Sequence, residues 1–242
     1  MSESRPAFYA LEPGGWRDYL TLLHPPYTLW HLSYVAIGAA LAPELTAGRL
    51  LVALAAFFLA VGIGAHALDE LHGHPLQTRI SDRMLVALSA LSIGGAVALG
   101  VYASIAYTVW LAPMVVAGGF IVVAYNLELF GGAFHSDVWF ALAWGSFPLL
   151  AAYLAVAERI TAEALLAAVF AGFLSLAQRH LSTQVRTVRR RVASVSGTLE
   201  LTGGERREIT AATLTSAPEA ALRAMTVAVV SLAVSLVVLR LT

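Results

Sequence analysis

Long apolar stretches separated by short polar breaks dominate this chain, and their lengths set its architecture. A helix needs about 20 apolar residues to cross the hydrocarbon core of a bilayer. Residues 27–42 form a first apolar segment that stops at Pro43, and a second lies between Arg49 and Asp69. Residues 84–127 contain no Asp, Glu, Lys or Arg. As one helix they would run to roughly 66 Å, about twice the bilayer core, so they must fold back. Tyr107–Pro113 is the expected turn, giving segments three and four. A fifth lies between Asp137 and Glu158, a sixth between Glu163 and Arg179, and a seventh between Arg223 and Arg240, with Ser216 and Pro218 as its start signal. The pattern predicts an all-α, polytopic membrane bundle of about seven transmembrane helices.

Two polar regions stand apart. Trp16, Tyr19, Leu20 and Leu23 fall at i, i+3, i+4 and i+7, predicting a short helix lying in the membrane interface. The first 23 residues carry charges and lack an apolar core of signal-peptide length, so no cleavable signal is expected. Residues 192–217 are polar, and Gly203-Gly204 flanked by 198–201 and 207–210 reads as a small β-hairpin, either a lid over a site or a plain exposed loop. The expected organisation is a core over 1–191, a cytoplasmic loop or hairpin over 192–217 and a last transmembrane helix over 218–242.

Composition sharpens this picture. Hydrophobic residues make up 59% and charged residues 12%, against about 25% charged in soluble domains. Net charge is zero, so no global field points to nucleic acid. Cysteine is absent, which removes disulfides and thiolate chemistry, and all fifteen basic residues are arginine, which removes lysine Schiff bases. On the seven-segment topology twelve arginines fall on the side of the N-terminus and three, Arg49, Arg159 and Arg240, on the other. That asymmetry predicts a cytoplasmic N-terminus and an integral protein of a bacterial or archaeal plasma membrane.

The same topology places all seven histidines at the N-terminal side. Ionisable groups at membrane depth are costly and mark function. His66, Asp69 and Glu70 are i, i+3 and i+4 on one helix face, a spacing able to hold a divalent metal. Tyr125 and Glu128 close segment four, and Arg179 and His180 close segment six. Tyr27, His31 and Tyr34 could line a cavity or act as interfacial anchors. Arg186 and Arg189–Arg191 could bind phosphate or sit beside anionic lipid. Gly94, Gly95, Gly118, Gly119 and Gly145 are read as close-packing positions.

These residues, in this order, resemble the UbiA superfamily of intramembrane prenyltransferases. His24-Pro25-Pro26-Tyr27-Thr28-Leu29 is similar to the family's Arg-Pro-x-x-Leu opening, and His66-Ala67-Leu68-Asp69 stands in the place of its Asn-Asp-x-x-Asp motif. Thr78-Arg79 with Arg83 resembles its arginine loop. Tyr125–Phe130, then Gly145 and Pro148, resemble its Tyr-x-x-x-Lys-Arg stretch and next helix. The second aspartate motif has no counterpart, for its place reads Gln178-Arg179-His180. The resemblance implies transfer or cyclisation of a prenyl group from an isoprenoid diphosphate at the cytoplasmic face. It implies a divalent cofactor, magnesium or a transition metal, on His66, Asp69 and Glu70. Asp69, Glu70, Glu128 and His180 would be catalytic, and Arg79, Arg83, Tyr125, Arg179, Arg186 and His31 would bind substrate. The missing motif implies at most one metal, with arginine taking the second metal's place. Two other readings stay open: a His/carboxylate metalloenzyme acting on a membrane lipid, and a non-catalytic protein binding an isoprenoid or a quinone-like molecule.

Overall fold

The computed structural model describes residues 5–242. Backbone groups in an apolar surrounding must be satisfied within the segment, and the apolar stretches are helical accordingly. The helices are α1 (Trp16–Leu22), α2 (Pro25–Leu41), α3 (Ala47–Leu71), α4 (Asp82–Ala106), α5 (Leu111–Asn126), α6 (Asp137–Ala157), α7 (Ala162–Arg191) and α8 (Ala211–Leu241). Among the described residues, α3, α4, α6, α7 and α8 are long and apolar enough to cross a membrane. Helices α2 and α5 are shorter, at 17 and 16 residues. Apolar side chains crowd the outside of the bundle: Ile105 is 82% exposed, Leu91 76% and Val116 73%, a surface suited to lipid rather than water.

Helices α2 to α8 alternate in direction. His24, the α3 end, the α5 end, the α6 start and the α7 end gather at one end, hereafter the polar end. The opposite end is tied by arginines on orphan helix carbonyls. Arg49 donates to the Ala155 and Val156 carbonyls at 3.2 Å, pairs with Glu158 at 2.7 Å and stacks on Tyr107. Arg240 donates to the Ala40 carbonyl at 3.0 Å.

Helix contact is closest where residues are small. A Cβ on Gly38 of α2 would lie 2.1 Å from the Leu149 carbonyl oxygen of α6, and one on Gly145 of α6 would lie 2.5 Å from the Ala171 oxygen of α7. Gly145 thus packs as expected, whereas a Cβ on Gly94 would meet nothing within 4 Å. The fully buried Trp30 donates to the Tyr34 hydroxyl, which also accepts from Ser175, tying α2 to α7.

Three features depart from the sequence reading in detail. Both α3 and α6 contain π-helical stretches, Phe58–Ala65 and Ala141–Ser146. Helix α7 continues well past Arg179 to Arg191. The hairpin pairs Thr198 with Glu208 and Glu200 with Arg206, so its second strand starts one residue early. Both strands are exposed. Helix α1 forms as expected, with Trp16, Tyr19 and Leu20 facing outward and Asp18, Thr21 and Leu22 buried.

Candidate functional site

A cavity opens at the polar end, between α2, α3, α5, α6 and α7, with about 900 Å³ of empty space including its mouth. Its cover is the N-terminal segment Pro6–Tyr9 rather than the hairpin, which contributes no residue to the lining. This segment is held by α7 and α8. Arg189 and Arg190 donate to the Arg5 and Pro6 carbonyls at 3.2 Å, and Arg223 stacks on Phe8. Arg189 and Arg223 both pair with Glu219 of α8.

The π-helical stretches orient the imidazoles. Widened turns leave carbonyl groups free of the ordinary helical ladder. His66 Nδ1 bonds the Gly62 carbonyl at 3.1 Å, and His31 Nδ1 bonds the Trp144 carbonyl at 2.8 Å. A carbonyl only accepts, so each Nδ1 carries the proton and each neutral ring keeps a lone pair on Nε2. His24 is arranged oppositely. Its backbone is left-handed, with φ at 45°, where the chain enters Pro25-Pro26, and its ring stacks on His66 at 4.1 Å. Burial pushes the His24 imidazole well below its usual range, aided by His66, Arg190 and Arg186. Burial likewise pushes the Tyr9 phenol well above its usual range. Among the described residues the Tyr9 hydroxyl has no other acceptor, so it donates to His24 Nδ1 at 2.7 Å. The proton of neutral His24 then sits on Nε2, a buried atom with no partner; Gln178 Oε1 is the other such atom in the cavity wall.

Charge completes the site. Arg179 Nε donates to Asp137, and another of its nitrogens donates to the Tyr125 hydroxyl. Among the described residues Arg186 bonds only the Thr183 hydroxyl, at 3.1 Å, and Arg190 only the Pro6 carbonyl. Among the described residues neither has a carboxylate partner, and Asp69, the one acidic residue in the lining, has no hydrogen-bond or ion-pair partner.

The structure thus brings together His31, His66, Asp69, Tyr125, Arg179 and Arg186 of the sequence-derived site. It leaves the others out. Glu70 is fully buried on the far side of α3, where its oxygens accept from the Leu76 and Thr78 amides at 2.9 Å and from the Thr78 hydroxyl at 2.8 Å. Glu128 lies in a left-handed turn, half-exposed, 3.8 Å from His135. His180 is exposed and faces Asp137 at 3.3 Å. Arg79 and Arg83 are exposed and absent from the lining. The expected metal set of His66, Asp69 and Glu70 is not gathered at one place, since Glu70 is absent from the cavity lining. Among the described residues, no group of three or more His, Cys, Asp or Glu is placed to hold a metal ion. With Glu70 bound to a loop, a divalent ion would find one carboxylate, Asp69, and the Nε2 lone pair of His66, short of the three-ligand set the implied cofactor calls for.

Sequence reasoning passed over Tyr9, quoted His24 and Gln178 only as parts of motifs, and offered Arg190 only within the run Arg189–Arg191. The signal for Arg190 was available, since Arg179, Arg186 and Arg190 share one face at i, i+7 and i+11, provided α7 continues. Nothing in the sequence pointed to Tyr9.

A second space of about 900 Å³, open mouth included, adjoins the first. Its walls are apolar, with Ile93, Val97, Met114 and Phe147 among them, and its one charged residue is Arg49. Val61 and Trp144 line both spaces. No family model, curated protein or solved structure matches the chain, so the UbiA resemblance rests on the residues quoted for it.

Proposed function

We propose that the chain is an integral membrane enzyme that takes an isoprenoid diphosphate at the cytoplasmic face and transfers or cyclises its prenyl group. The observation that carries this reading is the meeting of a guanidinium-lined polar cavity and an apolar chamber at Val61 and Trp144. An amphiphile with an anionic head and a hydrocarbon tail has the same division. In this reading α2, at 17 residues, and α5, at 16, also span, giving seven helices, with both close to the short limit of about 17 residues for crossing. The arginine excess at the polar end makes that end cytoplasmic.

In the reaction, Arg186 and Arg190 hold the head group. The allylic C–O bond breaks, and the diphosphate leaves with the electron pair. The quadrupoles of Trp144, Phe140 and Tyr125 on the wall stabilise the developing allylic cation. A nucleophilic carbon of the acceptor, or a double bond within the same chain, forms the new bond. The proton released passes to the Nε2 lone pair of His66. Binding of a non-hydrolysable prenyl diphosphate, set against inorganic pyrophosphate and the matching prenyl alcohol, tests the reading. Tight binding of the amphiphile and weak binding of either half are expected; equal affinity for the alcohol would overturn it.

A second reading is favoured by the unpartnered His24 Nε2. As a buried N–H donor it suits a quinone carbonyl, and a quinone-binding protein would need neither metal nor leaving group. Tight binding of a prenyl quinone without affinity for pyrophosphate would select it.

A further inference from the structure

We infer that the anionic head in this cavity is neutralised by the guanidinium groups of Arg186 and Arg190, and not through a bridging divalent ion. This rests on the isoprenoid diphosphate reading above and names how that site holds its ligand. A phosphorylated head in a membrane-embedded cavity needs compensating positive charge, because an uncompensated anion there is expensive. Carboxylate clusters supply it indirectly by holding cations. Here the wall supplies the opposite of a carboxylate cluster.

Three arginines line the cavity against the single carboxylate of Asp69. Arg179 is engaged by Asp137. Arg186 and Arg190 lie one turn apart on α7, and among the described residues neither meets an acidic group. Their present partners, a threonine hydroxyl and the Pro6 carbonyl, each occupy one donor of a five-donor group. The remaining donors suit the oxygens of a phosphate bidentately. His24 is 7% exposed and its Nε2 has no partner. With Nδ1 accepting from the Tyr9 hydroxyl, the proton sits on Nε2, a spare uncharged donor buried in the cavity wall. Carboxylate support for a metal is thin: Glu70 serves the loop after α3 through three hydrogen bonds, and Asp69 has no second carboxylate beside it in the wall.

The two modes of holding the head make opposite predictions for Asp69. If a cation bridges head and protein, Asp69→Asn removes its anchor and affinity falls. If guanidinium groups bind the head directly, Asp69→Asn removes a like charge and affinity rises. The experiment is calorimetric titration of the full chain in detergent with a non-hydrolysable prenyl diphosphate, in EDTA and in millimolar magnesium. The inference expects the same dissociation constant in both buffers within about twofold and stronger binding by Asp69→Asn. It expects a loss of about tenfold or more in each of Arg186→Gln and Arg190→Gln, the size of one charge-assisted contact. Thermal unfolding of each variant confirms that it is folded. Binding that requires magnesium, or that collapses in Asp69→Asn, would overturn the inference while leaving the isoprenoid diphosphate reading standing. Absence of binding by the unaltered chain in both buffers would overturn that reading and the inference with it.

Discussion

Asp69 and Glu70 are neighbours in sequence and opposite in what they do. One successive position on a helix turns the side chain by about 100°, and here that angle separates a cavity from a loop. Glu70 satisfies two amides and a hydroxyl in a fully buried place. Glu70→Gln keeps the shape but leaves a donor facing donors, and it is expected to cost on the order of 2 kcal/mol of stability. Thermal unfolding in detergent reads that loss, and pyrophosphate affinity should stay nearly unchanged, because the residue is absent from the cavity wall. His24 gives a pH dependence of definite sign. Its folded pKa lies well below its unfolded value, held down by burial and then by His66, Arg190 and Arg186. Below about pH 6.5 the unfolded chain therefore binds a proton at this residue that the folded chain does not. Its contribution to stability is present above that pH and lost as pH falls through the folded value. Melting temperature should decline below about pH 6.5, and the decline should be shallower in His24→Gln.

Between residues and bundle, two helices carry the lesson of what the chain's pattern reveals. The existence of α3, α4, α5, α6, α7 and α8 was legible because each apolar run is bounded by charges or by turn residues such as Tyr107–Pro113. The extent of α7 was not. The apolar run ends near Arg179, but hydropathy marks where lipid stops, not where hydrogen bonding stops, and the helix carries Arg186 and Arg190 a further three turns. The π-helical stretches were equally hidden, because FLAVGIGA and ALAWGS have ordinary helical composition. They nevertheless supply the Gly62 and Trp144 carbonyls that fix two imidazoles. Helix packing makes its own prediction. Gly38→Ala would push a methyl group to 2.1 Å from the Leu149 oxygen, a backbone atom that cannot rotate away. Helices α2 and α6 would have to separate, with an expected loss of 2 kcal/mol or more, roughly the upper range of overpacking. Gly94→Ala, in open space, is the control and should be neutral or slightly stabilising.

For the whole molecule, polarity divides along the bundle axis. One end carries capping arginines on helix carbonyls, and the other carries a cavity whose cover is the N-terminal segment. The proposed seven-span topology predicts residues 43 and 242 outside the cell and residues 78, 136 and 203 inside. Reporter fusions at these positions check the count, and a cytoplasmic signal at 242 would show that one of the shorter helices, α2 or α5, does not cross. The gathering of histidines and arginines at one end was legible from topology alone. The cover was not, because its anchors are the Arg5 and Pro6 carbonyls and single contacts of Phe8 and Tyr9, which no periodicity in the sequence marks. The central claim is that head and tail occupy two adjoining spaces, and photocrosslinking tests it most directly. A prenyl diphosphate analogue with a diazirine at the tail terminus is irradiated on the protein, and the labelled peptides are sequenced. The account predicts label on the apolar chamber wall, at Val97, Met114 or Phe147, lost when excess unlabelled analogue competes and weakened in Arg186→Gln. Label confined to outward-facing residues such as Leu91 or Val116, and indifferent to competitor, would contradict it.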